Sequence, residues 1–318
     1  MKERRQFWQR TQDDEPDHDR ADLPAHGHWA PLVVGEPIFE FEPRPPDVSS
    51  YRPDTVYDDW SCDNFAVRMA CVRGYAHRYR GIPRQDEAEV AFHPQSGAVM
   101  FAVADGVSSA RQAHIGATIA CRSAMYALRH QMNAARDAVN WAKVLDDTAR
   151  SLTSRAADTL RQDAPAQEAV LDLFATTLVA GYVAPARGGP VASMVQVGDT
   201  SAWILRHGRY RSVLTDKHDQ RQQVVSSAVT PLPVLPDRVM PVTIGLPSDA
   251  VLLVGTDGFG DALGDGDGQV GRLFATCLRT PPPGRAFAHL LDFSRETFDD
   301  DRTLVGVWPR ETGQEMPR

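Results

Sequence analysis

Apolar positions in this chain fall into short runs whose period changes from one run to the next. Phe65, Val67, Met69 and Cys71 alternate with Ala66, Arg68 and Ala70, the two-residue period of a half-buried strand. Val99 to Ala104 is apolar without interruption, as in a strand covered on both faces, and it ends at Asp105-Gly106. Leu173 to Val183, Val191 to Val197 and Ala250 to Thr256 read the same way. Ala202 to Arg206 and Arg209 to Leu214 form a hairpin around His207-Gly208, and Thr303 to Trp308 is the last strand. A further strand is expected near Glu87 to Phe92, after a basic loop over residues 73–86.

Helical spacing occupies the gaps. Gly116, Ala117, Ile119, Ala120, Ala124 and Leu128 recur at three and four residues, predicting a long helix from His114 with a small-residue face for close packing. Trp141 to Leu160 predicts a second helix, and shorter ones are expected over Val270 to Arg279 and Phe287 to Phe293. Residues 216–249 are polar and rich in proline, an irregular insertion of the length that lids have.

Strands, two helices, strands, an insertion, a strand, helices and a last strand do not make the regular alternation of a doubly wound sheet. The order fits an α+β fold, an antiparallel β-sandwich flanked by helices. Residues 61–310 are expected to form it as one domain. Residues 1–60, charged and then Pro-rich, read as a poorly ordered extension, and residues 311–318 as a tail.

Composition narrows the function. A net charge of -8 over 318 residues argues against a nucleic-acid binder. The four cysteines make no C-x-x-C pair and no secretory leader precedes them, so reduced thiols and a cytoplasmic location are expected. Apolar runs are strand-length, so no membrane attachment is expected.

The candidate chemistry lies in the acids. Asp105, Asp199 and Asp257 each close an apolar strand next to a glycine, and Asp300 stands just before one. Strand ends on one edge of a sandwich gather such carboxylates into one cleft, where like charges raise one another's pKa unless cations intervene. Oxygen ligands without His or Cys select hard ions, Mg²⁺ or Mn²⁺. Two such ions would activate a water for in-line attack on phosphorus.

These motifs, in order, resemble those of the metal-dependent serine/threonine protein phosphatases of type 2C, the PPM family. They are Arg84-Gln85-Asp86, Phe101 to Gly106, Ala175 to Leu178, Val197 to Ala202, Leu253 to Gly258 and Asp300 to Val305. The resemblance spans residues 64–308 and implies a four-layer α-β-β-α fold. It implies hydrolysis of phosphoserine and phosphothreonine by a hydroxide bridging two Mn²⁺ or Mg²⁺ ions. In that reading Asp105 bridges both ions and the Gly106 carbonyl and Asp86 serve the second. Asp257 and Asp300 complete the first, and Asp199 with Asp257 matches a third, weaker site. Asp105, Asp257 and Asp300 are thus the expected catalytic residues, and Arg80, Arg84 and His77 the candidates for binding phosphate. Gln85 stands where relatives commonly carry an acid, and Val107 where some carry a His proposed as general acid. The leaving oxygen would then take its proton from a metal-bound water. Implied partners are phosphorylated protein substrates and a Ser/Thr kinase. A non-catalytic pseudophosphatase acting as an interaction module is the alternative.

Overall fold

The structure is a computed structural model, and it describes residues 30–47, 52–134, 138–214 and 230–310. The expectations for residues 1–29 of the extension, for the insertion up to residue 229 and for the tail at 311–318 lie outside the described residues. Contacts gather into a body that starts at Leu32.

Eleven strands and seven helices are found among the described residues. The strands are β1 (Thr55–Ser61), β2 (Phe65–Val72), β3 (Glu87–His93), β4 (Ala98–Ala104), β5 (Leu178–Ala184), β6 (Val191–Val197), β7 (Ser201–Arg206), β8 (Arg209–Ser212), β9 (Val242–Gly245), β10 (Ala250–Gly255) and β11 (Arg302–Pro309). The helices are α1 (Tyr75–Arg80), α2 (Ala113–Ala134), α3 (Trp141–Leu160), α4 (Gln167–Phe174), α5 (Asp257–Leu263), α6 (Gln269–Cys277) and α7 (Gly284–Leu291). One sheet has the order β1-β2-β11-β10-β7-β8 and the other β3-β4-β5-β6-β9, with every named strand pair antiparallel.

Three apolar clusters give four layers. Val99, Phe101 and Val103 of β4 meet Val67, Leu252, Val254 and Val305 between the sheets. The alternate residues of β4, Met100, Ala102 and Ala104, face α2, α3 and α4. On the far side, Val251 and Leu253 of β10 pack with Phe259, Phe274 and Phe287 from α5, α6 and α7. An uninterrupted apolar run is what a strand with core on both faces needs, which is why β4 and β10 were legible.

Four expectations change. β2 is buried along its whole length, because Ala66, Ala70 and Val72 lie against the α5–α7 layer instead of water. Its Arg68 is accommodated by an ion pair with Asp59 at 2.8 Å and by the Pro282 carbonyl. The loop expected at 73–86 contains α1, closed by Gly81 at φ 76°. Leu173 and Phe174 belong to α4, where Val170, Leu173 and Phe174 form one buried helical stripe, so β5 starts only at Leu178. Finally, ordered structure begins before residue 61. β1 pairs with β2 along seven residues, and Val34 is buried with its amide on the Ser294 carbonyl at 3.0 Å.

Candidate active site

The end of β4 is held by a threonine pair. The Asp105 amide donates to Thr177 Oγ1 at 3.0 Å, and the Asp105 carbonyl accepts from Thr177 N and Thr176 Oγ1, both at 2.8 Å. Thr177 Oγ1 lies 2.5 Å from Thr200 Oγ1, which ties the β6–β7 turn and its Asp199 to the same strand end. That turn requires glycine at 198, where φ is 90° and a Cβ would meet Thr177 Cγ2 at 2.6 Å. With its backbone fixed, the Asp105 side chain projects from the sheet edge on a rigid element.

Asp86 sits just before β3, 1 % exposed, and Thr256 Oγ1 donates to its Oδ2 at 2.7 Å. Thr256 is the last residue before α5, whose first residue is Asp257. The same hydroxyl accepts from Thr303 N at 3.1 Å, so the ends of β10 and β11 are joined at the point where Asp257 and Asp300 leave them. Gly258 lets these loops close, since a Cβ there would lie 2.0 Å from the Asp301 carbonyl oxygen.

The acids also act on one another through their charges. Burial pushes the Asp105 carboxyl well above the usual carboxylate range. Asp86 and Asp257 add to this, Asp257 also through a hydrogen bond, as does the charge of Asp300. Burial likewise pushes Asp86 well up, with Asp301, Asp300 and Asp257 contributing, although the Thr256 hydroxyl opposes it. Four carboxylates from four strand ends therefore share one field, a donor set that a hard divalent cation stabilises and that is self-repelling without one.

Asp301 behaves differently from its neighbour. Its Oδ1 accepts from Gly74 N at 2.6 Å and faces His77 Nδ1 at 2.9 Å, while Oδ2 accepts from Gln85 N at 2.5 Å. Burial alone would raise its pKa, but the bond and charge of His77 and the Gly74 and Gln85 amides outweigh burial and lower it. Burial pulls His77 down, yet the hydrogen bond and charge of Asp301, with Asp300 and Asp86 behind, raise it. Among the described residues, one group of three potential ligands has all its ligand atoms within 4.8 Å, and it is His77, Asp300 and Asp301. With its oxygens spent on amides and imidazole, Asp301 serves as the partner of His77.

Residues 73–293 match the sequence profile of protein phosphatase 2C. The chain belongs to the protein phosphatase 2C family. It is a metal-dependent protein serine/threonine phosphatase, and the non-catalytic alternative is not favoured. The fold of the phosphatase is similar to that of RsbX crystallised with magnesium (11 % identity, 80 % of this chain and 100 % of that one, TM-score 0.51). It is also similar to the catalytic domain of the serine/threonine phosphatase PstP with two manganese ions (15 %, 78 % and 99 %, TM-score 0.52). The serine/threonine phosphatase of S. agalactiae is a third (17 %, 77 % and 99 %, TM-score 0.51). No curated protein sequence matches the chain.

The structure separates the phosphatase's expected phosphate binders. Arg84 is 2 % exposed, with Nε on the Pro53 carbonyl, Nη1 on the Asp86 carbonyl and Glu87 at 3.9 Å, so its guanidinium is turned inward to the backbone. His77 is buried, with both ring nitrogens turned to carboxylates that would repel a phosphate. Arg80 is exposed, one turn beyond His77 on α1. Gln85 acts through its backbone, on Asp301. Sequence reading missed Thr256, Asp301 and Arg52. Arg52 donates to the Asp86 carbonyl at 2.8 Å and to the Arg84 carbonyl, and so braces the first motif from before β1. The doubled acid Asp300-Asp301 was the available signal for a second role.

Proposed function

We propose that Asp105 would hold both ions of this phosphatase, with the Gly106 carbonyl and Asp86 serving one and Asp257 and Asp300 the other. Asp199 serves a third, weaker site. What carries this is the placement of Asp86, Asp105, Asp257 and Asp300 at adjoining strand ends joined through Thr256, where Asp86, Asp257 and Asp300 all oppose the ionisation of Asp105. The ions are Mn²⁺ or Mg²⁺, as the all-oxygen donor set suggests and as RsbX and PstP exemplify. When bound, they supply charge to hold a phosphate and the acidity that ionises a water near neutral pH. The chain's own part is orientation. Thr177 fixes the Asp105 backbone, Thr256 fixes Asp86, and Arg80 offers a guanidinium to the phosphate oxygens.

Phosphorylated proteins are the substrates, and a Ser/Thr kinase is the enzyme whose products this one would reverse, in cytoplasmic signalling. Among the described residues no helix is long and apolar enough to cross a membrane. The catalytic domain is proposed to occupy residues 61–310, with residues 32–47 and 52–60 as its brace. Substrate choice is assigned to the insertion after β8. Its described part is anchored where Leu232 N donates at 2.8 Å to the carbonyl of Thr176, whose own hydroxyl holds the Asp105 carbonyl. Beside that anchor a cleft of about 460 Å³ is lined by Gln196, Gly198, Val234, Leu235 and Asp237, and it adjoins Asp199 in sequence.

Assay of the purified protein on a phosphothreonine peptide, with Mn²⁺ and with chelator, tests the reading. Turnover that requires the ion supports it. Turnover indifferent to chelator, or none with the ion bound, would overturn it.

A further inference from the structure

His77 sits on α1, ahead of the first motif, and its ring is buried and turned toward the acids of the last motif. Its backbone is fixed twice over. The His77 carbonyl accepts from Arg73 Nη2 at 3.0 Å and from Ile82 N at 3.0 Å. The start of α1 docks on the acidic loop, with Ala76 N on the Asp299 carbonyl at 2.9 Å. At Gly74 the approach is so close that a Cβ would lie 2.2 Å from the carbonyl carbon of Asp300.

From that mount the imidazole spans two adjacent acids. Nδ1 meets Asp301 Oδ1 at 2.9 Å, and Nε2 is turned to Asp300 Oδ1 at 3.9 Å. Asp301 cannot rotate away, since the Gly74 and Gln85 amides hold both its oxygens. Asp300 is the opposite case, with its side chain 58 % exposed. Its Oδ1 accepts from Asp301 N at 2.8 Å on the same side that His77 occupies. No hydrogen bond among the described residues engages Asp300 Oδ2, so that oxygen is the one left to take an ion.

We infer that His77 is a positioning residue for the metal site: anchored on Asp301, it restrains the exposed Asp300 carboxylate so that Oδ2 faces the ion. Loss of a partner that orients a metal ligand from behind typically costs ~10–100-fold in metal affinity or activity. The inference rests on the proposed ligand role of Asp300, and it replaces the expectation that His77 binds phosphate.

Mn²⁺ binding by calorimetry, read beside the KM for p-nitrophenyl phosphate at saturating Mn²⁺, decides it. In His77→Asn the amide takes the place of Nδ1 toward Asp301, and nothing replaces Nε2. Expected is a Kd for Mn²⁺ weaker by about 10-fold or more, with KM within about twofold of wild type. Introduced into Asp300→Asn, the same change should weaken binding less than about twofold further, because the two act through one contact. An unchanged Mn²⁺ affinity would overturn the inference, and a raised KM beside it would return His77 to phosphate binding. So would a full additional loss in the double variant. His77→Gln is carried in parallel, and loss of fold in both variants would reduce His77 to a structural residue. Wild-type protein that binds no Mn²⁺ would instead remove the ligand reading itself, a result distinct from all of these.

Discussion

Thr256 Oγ1 and Asp86 Oδ2 are 2.7 Å apart and link the two sheets at the mouth of the cleft. Thr256 follows β10 of one sheet and Asp86 precedes β3 of the other. A hydroxyl of this kind favours the charged form of a buried carboxylate, and hydrogen bonds to charged groups contribute ~1.5–3 kcal/mol. Thr256→Val keeps the shape and removes the donor. It should weaken binding of the ion that Asp86 serves by about 10-fold or more, while Thr256→Ser should restore most of it. Mn²⁺ titration of the two variants checks this. Equal binding by Val and Ser variants would mean the hydroxyl does not act on the site.

Asp105 and Asp199 should respond differently to the same change. Asp105→Asn is expected to abolish turnover and remove most metal binding, because Asp105 stands among Asp86, Asp257 and Asp300. In chelator it should also be more stable than wild type, since one of four repelling charges is gone. Asp199→Asn should leave the two core ions in place and lower the rate less. Calorimetry and thermal unfolding in chelator measure both halves. Loss of the core ions from Asp199→Asn would refute the assignment.

Metal-free protein should lose stability as pH rises. Asp86, Asp105 and His77 all have folded pKa values raised above their ordinary 3.8, 3.8 and 6.5. Each therefore binds its proton more tightly folded than unfolded. The stability this contributes is complete below the ordinary values and is lost as pH climbs through the raised ones. Asp301 has the opposite sign, and its contribution is lost only as pH falls below the ordinary carboxylate range. The Tm in chelator should therefore decline as pH climbs above the ordinary carboxylate and imidazole values toward the raised ones. Mn²⁺ should flatten the decline, because ligand binding displaces the same protons. A Tm that rises over this range without metal would contradict the clustered acids.

Arg73 should prove a keystone of the brace. It is 1 % exposed and donates to the carbonyls of Ile82, Arg44 and His77 and to Asp54. Arg44 N donates to the Arg78 carbonyl and Asp47 N to the Gly81 carbonyl, so residues 44–47 run along α1. Arg73→Met orphans several carbonyls and should cost about 3 kcal/mol or more, seen as a lower denaturation midpoint. Mn²⁺ affinity should fall with it, through His77. A change within about 0.5 kcal/mol would show that the carbonyls find other donors.

Substrate choice should be separable from chemistry. Val234 and Asp237 line the cleft beside Gly198 and are not ligands in the proposed site. Val234→Ala with Asp237→Ala should leave p-nitrophenyl phosphate turnover near wild type and change kcat/KM on phosphopeptides several-fold. Leu232 is left untouched because it is fully buried and anchored to Thr176. Equal loss on both substrates would make this cleft structural.

Much of the architecture was readable because local pattern and global fold agree. The unbroken apolar run of β4 could only be a strand with core on both faces, and acids closing such runs had to emerge at sheet edges. Asp105 and Asp257 were identifiable on that ground. Burial of β2 on both faces, the helix within 73–86 and the identity of Leu173 and Phe174 were not, since short apolar runs fit either period. The site's polar partners were further still from local pattern. Thr256 bonds Asp86 across 170 residues and Gln85 bonds Asp301 across 216. No spacing along one element encodes such pairs. Arg84 and Arg80 looked alike as neighbours in one basic loop; only the packed structure turned one inward to backbone carbonyls and left the other in solvent. Chain periodicity specifies which face of an element is buried, and the tertiary structure decides which buried polar groups meet, because an unpaired one costs free energy wherever it ends up.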